Sequence, residues 1–229
     1  MLDQRLELIR SMTPICRGFA DVGTDHGYLI CQLVGEGRAQ WGIATDIHQK
    51  PLEKARQEAA RLNLSAKVQC VLADGLGELS PDGLDAIAIA GMGGETIVHI
   101  IDSWKHSKTK GITWLLQPMT KAERLRQWLY LNGYDIADEK CCKAADRLYS
   151  VLKVCYTGNI TKPTGHMMHI GAIDPTQSED AKEYCLRELQ RITRKAVGMA
   201  TSGSKEAKLH QDAAAQLTAF LQQKGVKTP

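Results

Sequence analysis

The sequence lacks any apolar run approaching the roughly 20 residues that a membrane-spanning helix needs. Its first ten residues carry charges and no apolar core of signal-peptide type, which predicts a cytoplasmic protein with no membrane association. The seven cysteines form no Cys-x-x-Cys pair, and this spacing argues against both a disulfide framework and a zinc site. What remains is a composition of 43% hydrophobic and 24% charged residues, typical of a globular protein.

The sequence also lacks a large excess of either charge sign, since the formal net charge is only +3. Residues 1–174 hold 20 basic and 20 acidic residues, so the excess lies in residues 175–229, which hold nine and six. A mildly basic tail permits a polyanionic partner. Solvated helix faces have the same composition, so the charge pattern alone does not choose between them.

Strand-like and helix-like patterns alternate along the first 131 residues. Short apolar runs predict strands at 18–22, 41–45, 67–72, 85–90 and 112–116, and helical spacing predicts helices at 2–13, 26–35, 50–62, 95–104 and 121–131. This alternation predicts a parallel sheet covered on both faces. The runs 134–142 and 148–156, linked around Asp146, predict an antiparallel hairpin at its edge. The predicted fold class is therefore α/β, and five parallel strands followed by such a hairpin is a layout associated with class I methyltransferases.

The C-terminal part follows a different pattern. Residues 157–176 are rich in glycine and proline and read as a linker. Helical spacing then runs through 181–199 and 210–221, with a turn predicted at 201–204, so two amphipathic helices fold back on each other. Such a pair buries little area alone and should dock on the main domain or on a partner. We predict a domain at 1–160, a linker at 161–176 and a helical domain at 177–229.

The first predicted strand ends in Asp21-Val-Gly-Thr-Asp-His-Gly27, which differs from the Gly-x-Gly-x-x-Gly of dinucleotide-binding folds. Gly23 allows a sharp turn and close approach of a ligand. A carboxylate at Asp21 would attract a cationic ligand and repel a pyrophosphate. S-adenosylmethionine carries an ammonium and a sulfonium, so the charge favours it over NAD. The motif is also compatible with a simple turn after a strand.

Two further aspartates follow the next two predicted strands. Asp46 stands where an acid usually accepts the ribose hydroxyls of an adenosine cofactor, although it is equally suited to cap the following helix. Asp74 could accept an adenine amino group, with Leu76 packing on the ring, or could belong to an ordinary Asp-Gly turn. The three acids share the carboxyl edge of the predicted sheet, where open α/β sheets bind ligands.

The fourth and fifth predicted strands also end in unusual residues. Three glycines in Gly91-Met-Gly-Gly94 imply a tight backbone contact near the acceptor. The amide of Gln117 can both donate to and accept from a base edge, or can be a plain polar residue before a proline.

The combination of these motifs resembles the bacterial tRNA adenine-N1 methyltransferases that modify the adenine at tRNA position 22. The resemblance rests on residues 19–29, 89–94 and 115–118, with Arg5-Leu6, Arg126-x-Trp-Leu129 and Tyr149-x-Val-Leu152, and spans residues 1–175 in order. It implies a seven-stranded Rossmann-like domain with a helical C-terminal domain. The family commonly has Ala where Gly27 stands and Asn where Met119 stands.

The resemblance also implies roles for individual residues. S-adenosylmethionine would be held by Asp21, Gly23, Thr24, Asp25, His26, Gly27, Tyr28, Leu29, Asp46, Ile47, Ala73, Asp74, Gly75, Leu76, Ala90, Gly91 and Met92. The target adenine would face Gly93, Gly94, Gln117 and Pro118. The implied partner is tRNA, bound by a monomer or weak homodimer without a metal.

The chemistry of methyl transfer to N1 assigns a further role. This nitrogen is neutral with a free lone pair, so it needs no strong base, whereas its product is cationic. A carboxylate near the ring would stabilise that charge, and Asp25 is the candidate. His26 could assist, or could be structural. The alternatives are a methyltransferase acting on a small molecule or protein, and a non-catalytic RNA-binding module. The acidic first loop and the terminal hairpin disfavour an NAD dehydrogenase.

Overall fold

The computed structural model describes residues 2–201 and 207–228. Seven strands form one sheet: β1 (Cys16–Val22), β2 (Ala39–Asp46), β3 (Val68–Leu72), β4 (Leu84–Gly93), β5 (Thr113–Thr120), β6 (Tyr134–Ala144) and β7 (Arg147–Tyr156). The sheet order is β3-β2-β1-β4-β5-β7-β6. The first five strands are parallel, and β7 is antiparallel to both β5 and β6. The predicted parallel sheet with an antiparallel hairpin at its edge is confirmed.

Eight helices are described: α1 (Gln4–Met12), α2 (Tyr28–Gly35), α3 (Gln49–Arg61), α4 (Gly94–Ser103), α5 (Ala122–Leu131), α6 (Gly165–Ile170), α7 (Glu179–Thr201) and α8 (Ala207–Gln223). Asp3 is the N-cap of α1, and its carboxylate accepts the N–H groups of Arg5 and Leu6 at 2.9 and 3.0 Å. Within the described residues 2–201 and 207–228, no helix is long and apolar enough to cross a membrane.

Alternate residues of the central strands supply a hydrophobic core on each face of the sheet. One core contains Ile87, Ile89 and Trp114 and packs against α4 and α5. The other contains Phe19 and Ala88 and packs against α1, α2 and α3. Both faces are covered because every central strand is apolar on both sides, as parallel strands of α/β proteins are.

The two C-terminal helices pack on each other as predicted. Ala181, Cys185, Leu189 and Ile192 of α7 share a core with Ala213, Leu217 and Leu221 of α8. The predicted turn at 201–204 lies outside the described residues, except for Thr201 at the end of α7. The predicted linker at 161–176 contains a short helix that was not predicted, since residues 165–170 form α6. Gly165 allows this helix to lie against Ala213, where a Cβ would approach the Ala213 Cβ to 2.8 Å.

A buried ion pair joins the C-terminal helices to the sheet. The guanidinium of Arg126 donates to Glu139 at 2.6 Å, to the His169 carbonyl at 2.6 Å and to the Tyr184 hydroxyl at 3.0 Å. Arg126 and Glu139 are both fully buried. One side chain of α5 therefore connects the hairpin, α6 and α7, so the tail docks on the main domain.

Candidate active site

A cleft of about 480 Å³ opens at the carboxyl ends of β1, β4 and β5. We call it the first cleft. Its walls are the loop and helix start at residues 21–29, the strand ends at Ala90, Gly91 and Gln117, and the first turn of α1. The motif after the first strand and the ends of the fourth and fifth strands therefore meet at one site, as the sequence predicts.

The loop after β1 is held in shape by its own hydrogen bonds. The Thr24 hydroxyl donates to Asp21 Oδ2 at 2.8 Å and accepts the Gly27 N–H at 3.1 Å. Gly23 and Gly27 have φ of +71° and +70°, a conformation that favours glycine. A Cβ at Gly27 would lie 2.8 Å from the Ala55 Cβ, so an alanine at this position would require a different loop backbone here.

Asp21 is the buried carboxylate of the first cleft. Burial raises its pKa from 3.8 to about 6, and the hydrogen bond from Thr24 only partly offsets this effect. Its Oδ1 accepts no hydrogen bond from the described residues, whereas Oδ2 accepts the one from Thr24. A cation in the cleft would favour the charged form and gain a strong interaction, because the carboxylate is shielded from water.

Asp46 and Asp74 lie on the same edge of the sheet but outside the walls of the first cleft. Backbone bonds tie their positions together, since the Ala73 N–H donates to the Asp46 carbonyl at 3.0 Å. The Asp46 carboxylate accepts the His48 N–H at 2.7 Å, and His48, not Asp46, is the N-cap residue that precedes α3. The alternative that Asp46 caps this helix is therefore wrong.

Two residues near Asp74 have structural roles that the sequence interpretation missed. Leu76 is fully buried in the core with Ile97 and Ile100, so its side chain offers no surface to an adenine ring. Gly75 has φ of +61° and lies beside Ile100, where a Cβ would come within 3.0 Å of that side chain. Ile47, which follows Asp46, is 58% exposed and remains free to cover a ligand.

The glycines after β4 differ in role. Gly91 has φ of +77°, lines the first cleft and has open space where a Cβ would lie. The tip of Met92 lies against Gly23, where a Cβ would collide with it. Gly94, by contrast, is buried against the Lys121 carbonyl, so packing explains this glycine and the prediction that it faces the acceptor is wrong.

Gln117 is a positioning residue in this structure. It is buried, its amide oxygen accepts the Gly91 N–H at 3.1 Å, and its amide nitrogen donates to the Pro118 carbonyl at 3.0 Å. Both ends of the amide are engaged within the protein, and the reading of a base edge by Gln117 stays a prediction. In this structure Gln117 holds the Gly91 backbone in its positive-φ conformation.

Asp25 and His26 lie at the rim of the cleft. The Asp25 side chain is 80% exposed, and its Oδ2 lies 3.3 Å from His26 Nε2. The His26 ring stacks on Tyr28 with centroids 5.1 Å apart, and its Nε2 also lies 3.3 Å from Lys54 Nζ. The exposed Asp25 carboxylate therefore lies at the rim beside the imidazole of His26, which stacks on Tyr28.

The first turn of α1 is the part of the site that the sequence interpretation missed. Leu2, Asp3, Arg5 and Leu6 all line the first cleft. In the sequence, Arg5-Leu6 was noted only as part of the family resemblance, and no role in the site was assigned to it. A helix that precedes the first strand gives no indication in its own spacing that it will lie across the strand ends.

Comparison with known proteins decides the family. Residues 2–152 match the family described as methyltransferase domain. This chain belongs to that family. The first cleft lies wholly within the matched residues, so the motifs that line it are those of the family domain.

Particular relatives are similar over parts or all of the chain. The tRNA (adenine(22)-N(1))-methyltransferase of Bacillus subtilis is 34% identical over 151 residues, which are 66% of this chain and 63% of that protein. The chain thus aligns with less than two thirds of that relative's length. The solved structure of the B. subtilis m1A22 tRNA methyltransferase TrmK has 25% identity, TM-score 0.81 and 98% coverage of both chains. The structure of Streptococcus pneumoniae Sp1610 in complex with S-adenosyl-L-methionine has 27% identity and TM-score 0.77, covering 96% of this chain and 100% of that one.

Proposed function

We propose that this protein transfers a methyl group from S-adenosylmethionine to N1 of an adenine in tRNA, at position 22. The observation that carries the proposal is the buried, unneutralised carboxylate of Asp21 at the centre of a methyltransferase-family cleft. The names of the relatives, their similarity over the whole fold and the resemblance of the motifs support the acceptor. We place the reaction in the cytoplasm.

The residues present suit a cationic adenosine cofactor. S-adenosylmethionine supplies a methyl group on a positively charged sulfonium. Asp21 would attract the ammonium or sulfonium, Asp46 would accept the ribose hydroxyls and Asp74 the adenine amino group. Two carboxylates of the first cleft, from Asp21 and Asp25, have no lysine or arginine partner among the described residues, whereas Asp3 is paired with Arg5. A pyrophosphate would therefore meet repulsion at Asp21 and Asp25. The charge of the cleft therefore supports this cofactor over NAD.

The backbone of the cleft supports close approach of such a ligand. Gly91 offers an open backbone with positive φ, and Gln117 holds it in place. Thr24 holds the loop after β1 in the shape that presents Asp21. We propose residues 23–29, with Ala90, Gly91 and Met92, as the remainder of the cofactor site, and Ile47, Ala73 and Gly75 as its flank.

The chain itself needs to supply little acid–base chemistry. The attacking nitrogen of adenine is neutral and has a lone pair, so the protein must mainly orient the base and exclude water. The exposed carboxylate of Asp25 at the rim would stabilise the positive charge of the methylated ring. Gly93 and Pro118, at the ends of β4 and β5, lie where the acceptor would approach.

The acceptor must also be exposed before it can react. A base stacked within folded RNA has to be extruded, which costs a few kcal/mol. We propose that residues 1–160 carry the chemistry, while the basic residues of 177–229 contact RNA phosphates and stabilise the exposed state.

Methyl transfer to a defined tRNA tests this proposal. Unmodified tRNA with adenine at position 22 is incubated with the protein and labelled S-adenosylmethionine, and the label is mapped by mass spectrometry. The matched control is the same tRNA with guanine at position 22. We expect label on N1 of adenine 22 and none in the control. Label confined to a metabolite or a protein would refute the assignment of tRNA as the acceptor. Absence of turnover would refute the proposed methyltransferase activity.

A further inference from the structure

A second cleft lies next to the first, and none of the residues proposed above to hold the cofactor lines it. It has a volume of about 330 Å³ and lies between the end of β5, the start of β7 and α7. Gln117 lines the first cleft and the next residue, Pro118, lines the second, so the two clefts meet at the end of one strand. A nucleotide in the second cleft would therefore lie beside a ligand in the first.

Arg5 stands at the boundary between the two clefts. It lines the first cleft, while its guanidinium lies 5.3 Å from the centroid of the Tyr149 ring and 3.1 Å from Met119 Sδ. Tyr149 and Met119 both line the second cleft. Among the described residues that line the first cleft, Arg5 is the only lysine or arginine. It is 26% exposed and therefore within reach of a bound ligand.

The charges around Arg5 fit an anionic ligand. Its guanidinium donates to Asp3 Oδ2 at 2.6 Å, while Asp3 Oδ1 is fixed by the first turn of α1. In the second cleft, the carboxylate of Glu188 is paired with Arg191 at 2.8 Å, and that of Glu123 lies 3.5 Å from the same guanidinium. The second cleft is lined by two cations, Lys121 and Arg191, and by two carboxylates, Glu123 and Glu188, so its lining carries no net charge. Arg5 already binds one oxyanion, the Asp3 carboxylate, in the geometry that a phosphate oxygen would use.

We propose that the acceptor nucleotide enters through the second cleft and that Arg5 binds its phosphate. This inference rests on the proposed function, since it assumes an RNA acceptor beside the cofactor. The contact would hold the backbone at the boundary while the base turns toward the first cleft. Arg5 is thus a positioning residue that acts on the RNA, with no part in holding the methyl donor.

The salt dependence of RNA binding tests the contact. The logarithm of the association constant for tRNA falls linearly with the logarithm of salt concentration, and each lost phosphate contact lowers the slope by about one. Fluorescently labelled unmodified tRNA is titrated with wild-type protein, Arg5→Gln and Arg5→Lys at several KCl concentrations. We expect Arg5→Gln to bind roughly 10- to 100-fold more weakly, with the slope reduced by about one. Arg5→Lys should restore the slope.

Arg17→Gln is the matched control. Arg17 also pairs with one aspartate, Asp85 at 2.8 Å, and is 65% exposed, but it lies on the amino half of β1, away from both clefts. Its substitution should leave the slope and the affinity unchanged. Calorimetry with S-adenosylmethionine should show no loss of affinity in either glutamine variant, and thermal unfolding verifies that each variant is folded.

The possible failures are distinguishable. An unchanged salt slope in folded Arg5→Gln, with wild-type protein active on tRNA, overturns this inference alone. Weakened binding of S-adenosylmethionine by Arg5→Gln would also overturn it, by showing that Arg5 serves the donor. If wild-type protein neither binds nor methylates tRNA, the proposed function fails and this inference fails with it.

Discussion

Replacing Asp21 with asparagine should make the free protein more stable while weakening its binding of the methyl donor. The substitution keeps the shape of the side chain and keeps an oxygen that accepts the Thr24 hydroxyl, but it removes the charge. Wild-type protein holds a buried carboxylate whose pKa is raised to about 6 by desolvation. That charge is costly until a cation enters the cleft.

The pKa gives both the magnitude and the pH dependence. Unfolded protein releases the Asp21 proton near pH 3.8 and folded protein near pH 6, so the folded state binds more protons between these values. Stability therefore falls as pH rises through this window, and above pH 6 the accumulated penalty is about 3 kcal/mol, at about 1.4 kcal/mol per pKa unit. Asparagine does not titrate, so the variant should be about 3 kcal/mol more stable than wild type at pH 7 and nearly equal to it below pH 4.

Urea unfolding of the ligand-free proteins at intervals between pH 4 and pH 8 measures this difference. Asp25→Asn is the control, because the Asp25 side chain is 80% exposed and its substitution relieves no burial. Calorimetry should show weaker donor binding by Asp21→Asn, and wild-type affinity should fall as pH drops below 6. A variant that is less stable than wild type at pH 7, or a difference that does not change with pH, would refute the reasoning.

Three further substitutions test other parts of the account. Asp46→Ala should weaken S-adenosylmethionine binding by roughly 1–3 kcal/mol through loss of charge-assisted hydrogen bonds, and unchanged affinity in calorimetry would exclude the ribose role. Arg126→Ala should lower the free energy of unfolding by about 3–5 kcal/mol, because Glu139 is left buried without its partner; a loss below 1 kcal/mol by urea unfolding would contradict this. Gly94→Ala should cost about 1–3 kcal/mol, because its Cβ would collide with the Lys121 carbonyl; an alanine variant with wild-type stability would show that the backbone relaxes freely.

The fold was predictable because its information is local and periodic. Apolar strands alternate with amphipathic helices, and a parallel sheet is the arrangement that buries both kinds of element. Helix α6 escaped prediction because residues 157–176 are rich in glycine and proline, and this helix depends on Gly165 packing closely against Ala213 of α8. The sequence around residue 165 contains no sign of that distant contact.

The site was predictable only in part, because some of its residues depend on contacts that are distant in the sequence. Asp21 and Gly23 form a motif at a strand end, and topology alone brings such ends to one edge. The packing roles of Gly94 and Gln117 were not predicted, because each depends on a distant partner. Gly94 packs on the Lys121 carbonyl, 27 residues away, and Gln117 accepts the Gly91 N–H, 26 residues away. The sequence does not distinguish a glycine that faces a ligand from a glycine that packs against neighbouring backbone. Only the packed structure separates the two.

The most direct test of the central claim is a crystal structure of the protein with S-adenosylmethionine bound. We predict that the donor occupies the first cleft, with its ammonium or sulfonium at Asp21 and its ribose hydroxyls on Asp46. Density for the donor at any other surface, or a donor whose ammonium and sulfonium both lie remote from Asp21, would contradict it.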